Sequence, residues 1–360
     1  MSYSIFHQEL SNCNLFWRYP VLELKGGLFP NDRLKDSELL LKGKIFGPES
    51  ILVEGNTLYT GTHDGKIVEI TDGKIIKEFV LGPKCNMETL ENCFRPLGIR
   101  RLNAKELIVA DSFQGLYTVD MKQMTYKKIL EANMEIDGEP MRFADDLDIL
   151  DEDTVLLSDA STRWNYNEVI KDFMEGVPSG RVLQVHIPTR KVTVVTKGLY
   201  FANGVQLFPD KKSLLVCETM GRRVHRVYLS GEKKGQREVF LENLPGIPDN
   251  VRLSDDGTFW IALAGVKHSA TFDLEEFSKD HPLLRRLLLT FVPSSWLMDM
   301  HIKMKAKHTI TIQVSQKGKI LSSLQDTTAS VIQSITQTTE ADGFFYFGNF
   351  DGDYIGRLRK

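Results

Sequence analysis

Phe201-Ala202-Asn203-Gly204-Val205, followed nine positions after its valine by Leu214-Leu215-Val216-Cys217, is the stretch that decides the fold. A short approach ends in a branched aliphatic residue, and a β-prone run begins a little later. The same pattern occurs in Gly47-Pro48-Glu49-Ser50-Ile51 with Leu58-Tyr59-Thr60-Gly61, and in Arg95-Pro96-Leu97-Gly98-Ile99 with Leu107-Ile108-Val109-Ala110. It returns in Phe143-Ala144-Asp145-Asp146-Leu147 with Val155-Leu156-Leu157-Ser158, and in Ile247-Pro248-Asp249-Asn250-Val251 with Phe259-Trp260-Ile261-Ala262. The aliphatic anchors at 51, 99, 147, 205 and 251 lie 48, 48, 58 and 46 residues apart, and Ile335 with Phe344-Phe345-Tyr346-Phe347-Gly348 makes a sixth, weaker copy. A period of that size is one four-stranded propeller blade. Asp-Gly pairs at 64–65, 72–73, 256–257, 342–343 and 351–352 separate the apolar runs. They read as strand-to-strand turns, because glycine supplies the positive φ of tight hairpins. No long periodic helix interrupts residues 47–263, which excludes a βαβ sheet. The expected fold is all-β, a six-bladed β-propeller.

Two regions break the repeat. Residues 1–46 form an N-terminal arm before the propeller of 47–360, and Glu38-Leu39-Leu40-Leu41 or Lys44-Ile45-Phe46 could add an outer strand to the last blade. Joining the two chain ends in one sheet leaves no long open edge. The step from Val251 to Ile335 is 84 residues, too long for one blade. A short helical insert at about 266–306, between blades five and six, accounts for the excess. Within it, residues 281–298 carry Arg285 and Arg286 among leucines, which suits either a lid packed on the ring or contact with a membrane surface.

Composition narrows the partners. The chain of 360 residues has 45 basic and 48 acidic side chains, a net charge of −3 and 42% hydrophobic residues. Clustered Lys and Arg, which dominate phosphate binding, are missing, so no nucleic-acid partner is expected. Apolar runs fall far short of a membrane span, and the first residues lack the charged and apolar regions of a signal peptide. Cys85 and Cys93 bracket a short polar loop, a spacing that suits neither a zinc site nor a redox motif. The residues alone fit two free thiols or a loop-closing disulfide made in an oxidising compartment.

The register carries the chemistry. First strands of propeller blades line the central channel, so Glu49, Asp145, Asn203 and Asp249 come to equivalent positions in four blades, with Asp146 and Asn250 beside two of them. These are hard oxygen donors, a set that suits Ca²⁺, with Mg²⁺ or Mn²⁺ as alternatives. Each residue alone would pass for a turn residue before a strand. In register, three carboxylates at one axis would repel and raise one another's pKa unless a cation joined them.

Gly47-Pro48-Glu49-Ser50, Arg95-Pro96-Leu97-Gly98-Ile99-Arg100, Phe201-Ala202-Asn203-Gly204-Val205-Gln206-Leu207 and Pro245-Gly246-Ile247-Pro248-Asp249-Asn250 resemble the motifs of the strictosidine synthase-like family. The resemblance runs from about residue 20 to the C-terminus. It implies a six-bladed propeller related to paraoxonases and gluconolactonases, with calcium in the central tunnel and ester or lactone hydrolysis as the activity. By that pattern the metal ligands are Glu49, Asp145, Asn203 and Asp249, with Asn250 as a fifth, and Cys85 pairs with Cys93 in a disulfide. The family usually has Asn before Asp where this chain has Asp145-Asp146. Leu97 stands where paraoxonases place a catalytic histidine, so their histidine dyad does not transfer. The glutamate that alkaloid condensation requires has no match here, and that activity is not implied. Family placement would be membrane-associated, ER-lumenal or extracellular, although no anchor or signal peptide is read in this chain.

A small-molecule ester or lactone is therefore the expected substrate. Asp146, next to a presumed ligand, reads as the base that takes a proton from water, or else as a structural hydrogen-bond acceptor. Arg142 reads as a group that orients the substrate carbonyl, or else as a surface ion pair. Trp164-Asn165-Tyr166-Asn167 with Phe173 and Met174 forms an apolar loop in blade three, either an aromatic substrate wall or packing for the ring. The alternative function is a non-catalytic, calcium-stabilised propeller that binds partners, since one fold hosts both.

Overall fold

The computed structural model describes residues 23–83, 92–267, 274–304 and 306–360. Six four-stranded antiparallel sheets follow one another around a ring. Blade one is Ile51–Glu54, Thr57–Gly61, Lys66–Thr71 and Lys74–Val80. Blade two is Pro96–Arg101, Leu107–Asp111, Gly115–Asp120 and Thr125–Glu131. Blade three is Ala144–Asp151, Thr154–Asp159, Gly180–His186 and Lys191–Leu199. Blade four is Ala202–Leu207, Ser213–Glu218, Arg223–Tyr228 and Arg237–Leu241. Blade five is Gly246–Leu253, Phe259–Val266, Thr309–Val314 and Ile320–Asp326. Blade six takes Gln337–Ala341, Phe344–Gly348 and Ile355–Arg359 from the C-terminus and Glu38–Leu40 from the N-terminal arm. In that mixed blade Leu39 stands opposite Gly356.

The second strands explain why the sequence shows unbroken apolar runs. Successive side chains of a strand point to opposite faces, and here both faces are covered by neighbouring blades. Leu107 and Val109 pack toward blade one with Ile67 and Tyr117, while Ile108 and Ala110 pack toward blade three with Leu147 and Val155. Leu156 packs with Leu214 and Val216, and Leu215 and Cys217 with Phe259 and Ile261, so the same alternation continues through blades three, four and five. The hydrophobic core is thus a set of sheet-on-sheet interfaces arranged around the ring. Hairpins close as their sequence requires: Asp72 and Gly73 have φ of 51° and 71°, and Asp342 and Gly343 have 51° and 78°. Both central residues are left-handed, as in a type I′ turn.

The helical insert lies elsewhere than the spacing predicts. It falls inside blade five, between Phe259–Val266 and Thr309–Val314, rather than between blades five and six. Spacing counts the surplus residues, but only pairing shows which loop holds them. Ile261 stands opposite Ile312, so the third strand resumes after the insert. A single short helix, α1 (Val169–Glu175), occupies the matching loop of blade three. Those of the insert are α2 (Leu274–Lys279), α3 (Pro282–Phe291) and α4 (Ser294–Met304). Pro282 opens α3, where a missing N–H costs nothing. Gly176, at φ 65°, ends α1 by donating its N–H to the Asp172 carbonyl. Antiparallel strands bring the second-to-third connection back to the end where the first strand begins. Both helical loops therefore gather at one mouth of the channel, where Ile170 and Met174 of α1 pack on Leu297 of α4. Among the described residues no helix is long and apolar enough to cross a membrane.

Candidate functional site

In four inner strands the ladder slips at the same place. The register shifts between Pro96 and Ile99, Ala144 and Leu147, Ala202 and Val205, and Pro248 and Val251. Such bulges place two residues against one and redirect side chains, often beside functional sites. The first residue of each bulge (Leu97, Asp145, Asn203 and Asp249) faces a single cavity of about 1170 Å³ at the mouth. Glu49, just ahead of the blade-one strand, faces it too. The second residues crowd the axis below. Two of them are glycines for want of room: a Cβ on Gly98 would lie 2.8 Å from the Asp146 Cα, and one on Gly204 would lie 2.5 Å from the Asn250 Cα.

Glu49, Asp145, Asn203 and Asp249 are all buried. Burial, followed by the charges of Glu49, Asp249 and Asp146, pushes the Asp145 carboxyl well above the usual carboxylate range. Glu49 is raised to about 7, again chiefly by burial and then by Asp146, against the pull of Arg252 and Arg95. Glu49 Oε2 and Asn203 Oδ1 are buried oxygens with no hydrogen-bond partner. Orphaned acceptors of that kind are rare and call for a reason. Two such oxygens among carboxylates fit the chemistry of a hard cation site. As they stand, no three His, Cys, Asp or Glu among the described residues are grouped closely enough to hold a metal.

Asp146 and Asn250 do not join them. Asp146 accepts from Arg252 Nη1 at 2.8 Å and Nη2 at 3.0 Å, and from the Val205 N–H at 2.9 Å. Burial would raise its pKa, but Arg252 and Arg100 hold it below the usual value. Asp146 does not line the cavity, and a carboxylate held as an anion by two guanidinium groups is a weak base, which argues against the sequence-based assignment of Asp146 as base. Blades three and five are separated by blade four, so the Asp146–Arg252 pair ties together inner strands that are not neighbours in the ring. Asn250 donates its amide to Glu49 Oε1 and turns its own oxygen to Arg252, 3.3 Å away. In this arrangement it positions Glu49, and its oxygen is turned to Arg252 rather than into the cavity. Arg142 is half-buried outside the cavity, so it does not orient a substrate carbonyl there.

Above the floor the wall is aromatic. Tyr166, Phe143, Phe201 and Phe173 meet edge to face at centroid distances of 5.9, 5.2 and 5.0 Å, and all four line the cavity with Leu97. His63 and His301 stand in the same lining. Arg95 locks the wall to the ring: it reaches the Gly47 carbonyl at 2.8 Å, the Phe350 carbonyl at 3.2 Å and the Tyr166 hydroxyl at 3.2 Å. Arg95, Arg100 and Arg252 were missed as site residues, although Arg100 and Arg252 each directly follow a blade anchor. Cys93 is buried and disulfide-bonded. Cys85 lies outside the described residues, so its predicted pairing with Cys93 is not described.

Comparison with known proteins follows the same lines. Residues 145–232 match the family described as strictosidine synthase, and residues 26–70 match strictosidine synthase-like, N-terminal. The adipocyte plasma membrane-associated protein of Rattus norvegicus is 35% identical over 336 residues, covering 92% of this chain and 88% of that protein. Its Homo sapiens counterpart is 34% identical over 338 residues, covering 93% and 80%. Among solved structures, regucalcin from Agrobacterium tumefaciens, described as a calcium-binding protein, aligns with TM-score 0.55 at 12% identity, covering 92% of this chain and 93% of that one. A gluconolactonase from Xanthomonas campestris aligns with TM-score 0.56 at 13% identity, covering 91% and 90%. At such identities the structural likeness concerns the fold alone.

Proposed function

The chain belongs to the strictosidine synthase-like family, and from that premise we propose that it is a calcium-dependent hydrolase of aryl esters or lactones. The observation that carries this reading is the floor of the cavity: four oxygen-bearing side chains from four blades, two with orphaned buried oxygens, beneath an aromatic wall. Glu49, Asp145, Asn203 and Asp249 would hold the cation. A bound Ca²⁺ would polarise a substrate carbonyl and stabilise the charge that develops on its oxygen. The chain supplies the rest. Phe143, Tyr166, Phe173 and Phe201 bind an aryl or aliphatic group and exclude water from it. Asp145 and Asp249 are the floor carboxylates that would take a proton from water, since Asp146 is committed to Arg252. The calcium-binding regucalcin and the gluconolactonase share this fold, which is consistent with the reading and adds no residue to it. The Cys85–Cys93 pairing belongs to the same proposal, and non-reducing peptide mapping tests it.

Leu97 favours a second reading, a calcium-stabilised propeller without catalysis, because an aliphatic side chain faces the cavity where paraoxonases carry a histidine. Phenyl acetate turnover with and without chelator separates the two. Turnover lost on chelation and restored by Ca²⁺ supports the hydrolase. A calcium-dependent rise in melting temperature without turnover supports the binding protein, and no response of either kind overturns both.

A further inference from the structure

Helix α3 packs Leu288 and Leu289 inward and yet presents a second apolar stripe to the outside. A solvated helix turns its charged side chains to water and its leucines to the protein. Here Arg285 is 8% exposed, whereas Leu283 is 78%, Leu287 54% and Phe291 75% exposed. Leu283, Leu287 and Phe291 follow one another at four-residue steps, so they form one stripe along the helix. Trp296, 67% exposed at the start of α4, and Met300 extend the apolar surface. Residues 282–298 contain Arg285 and Arg286 and no acidic residue, and Arg286 is exposed beside the stripe.

The stripe lies at the rim of the cavity. Helix α4 has two working faces: Met298, His301 and Ile302 line the cavity, while Trp296 and Met300 look outward. Whatever covers the stripe therefore sits beside the channel mouth. From this surface we infer that α3 and the first turn of α4 dock on an anionic lipid surface, with Leu283, Leu287, Phe291 and Trp296 inserted and Arg286 at the headgroups. Three features select lipid over a protein partner. The inserted set is one short helical stripe rather than a pocketed surface, tryptophan favours the membrane interface, and the exposed charge beside the stripe within 282–298, Arg286, is positive, with Asp299 following at the cavity side of α4. The helix lies in the interface and does not span it, since ten residues cover about half of a bilayer core. Apolar small molecules dissolved in the lipid then meet the aromatic wall without crossing bulk water. The docking itself does not depend on the catalytic reading.

The test is flotation of the full chain with phosphatidylcholine vesicles, with and without about a third phosphatidylserine, at low salt. The wild type is expected to float with the anionic vesicles. Leu287→Glu/Phe291→Glu should lower the bound fraction at least about tenfold. Arg286→Glu should weaken binding to the anionic vesicles alone. Because these side chains face outward, melting temperatures should not change, which separates lost docking from lost folding. Absence of flotation by the wild type, or flotation indifferent to these substitutions, overturns the inference. So does self-association that the double variant abolishes without any vesicle binding, which would make a second copy the occupant.

Discussion

At residue scale, neighbours in one bulge do opposite work. Asp145 faces the cavity and Asp146 faces Arg252, so the same change should have different consequences at each. Asp145→Asn removes a carboxylate whose pKa is raised by burial and by its neighbours. A raised carboxyl contributes stability below its unfolded pKa and loses it as pH rises through the folded one. The variant should therefore melt higher than wild type in chelator at neutral pH. If the proposed site is right, it should also bind Ca²⁺ at least about tenfold more weakly, a loss near 1.4 kcal/mol. Asp146→Asn strands the buried Arg252 guanidinium and should cost about 3–5 kcal/mol in denaturant unfolding, whatever the calcium concentration. Equal effects from both substitutions would mean that the bulge does not separate their roles. Glu218 shows a shift of the other sign. Burial would raise its pKa, yet hydrogen bonds from His225, Arg223 and the Tyr200 N–H hold it at about 2. Its stabilisation is present above the ordinary value of 4.5 and is lost as pH falls toward 2. That interval represents about 3 kcal/mol, and Glu218→Gln should flatten the acid limb of a stability–pH curve.

At the scale of elements, the second strands of blades two, three and four end in Asp111, Asp159 and Glu218. Each accepts an N–H from the loop leading into its blade's inner strand: Arg95, Phe143 and Tyr200 respectively. Each also holds a third-strand side chain, Tyr117, Arg181 or His225. These acids anchor the loops from which the cavity floor begins. They are legible in sequence as the acidic ends of Val109-Ala110-Asp111, Leu157-Ser158-Asp159 and Val216-Cys217-Glu218, although an acid at a strand end does not by itself show which loop it holds. Helix α1 depends on another buried acid. Asp172 accepts from Ser161 Oγ, which in turn accepts the Trp164 N–H at 3.0 Å, tying the helix to the loop before it. Burial raises Asp172 to about 7 from an ordinary value of 3.8. Its contribution is present below 3.8 and is lost as pH rises through about 7. The α1 loop should accordingly become easier to cleave by protease between pH 6 and 8 (about two units around that pKa). Asp172→Asn should suppress the change, and cleavage indifferent to pH in the wild type would count against a charge-controlled α1.

On the scale of the whole molecule, closure of the ring rests on the N-terminal arm. Glu38–Leu40 supplies the outer strand of blade six, while Leu28 and Leu34 are buried in the blade-five and blade-six cores. Asn31 and Asp32 add hydrogen bonds to Ser323 and Thr327 of blade five and its exit loop. Two buried leucines, with Leu39 and Leu40 partly buried beside them, represent about 5 kcal/mol of apolar transfer. Deleting residues 1–41 should lower the melting temperature by about 10 °C and expose an edge prone to association. A truncated chain that melts as the full one does would show that the arm only decorates the ring.

The sequence by itself determined the fold, because a propeller repeats one local problem six times: each second strand must be apolar on both faces, and each hairpin needs a turn residue with positive φ. It also determined which positions reach the cavity, since register follows from period, and Glu49, Asp145, Asn203 and Asp249 do share one cavity. Only the tertiary structure decided what their neighbours do. Asp145 and Asp146 are adjacent and chemically identical, and a bulge directs one to the cavity and the other to Arg252, 106 residues away. Nor could spacing locate the insert inside blade five, turn Asn250 toward Glu49, or show that α3 hides Arg285 and exposes Leu283 and Leu287. Those outcomes depend on which surfaces meet once the ring has closed, and local periodicity carries no information about partners so distant in the chain.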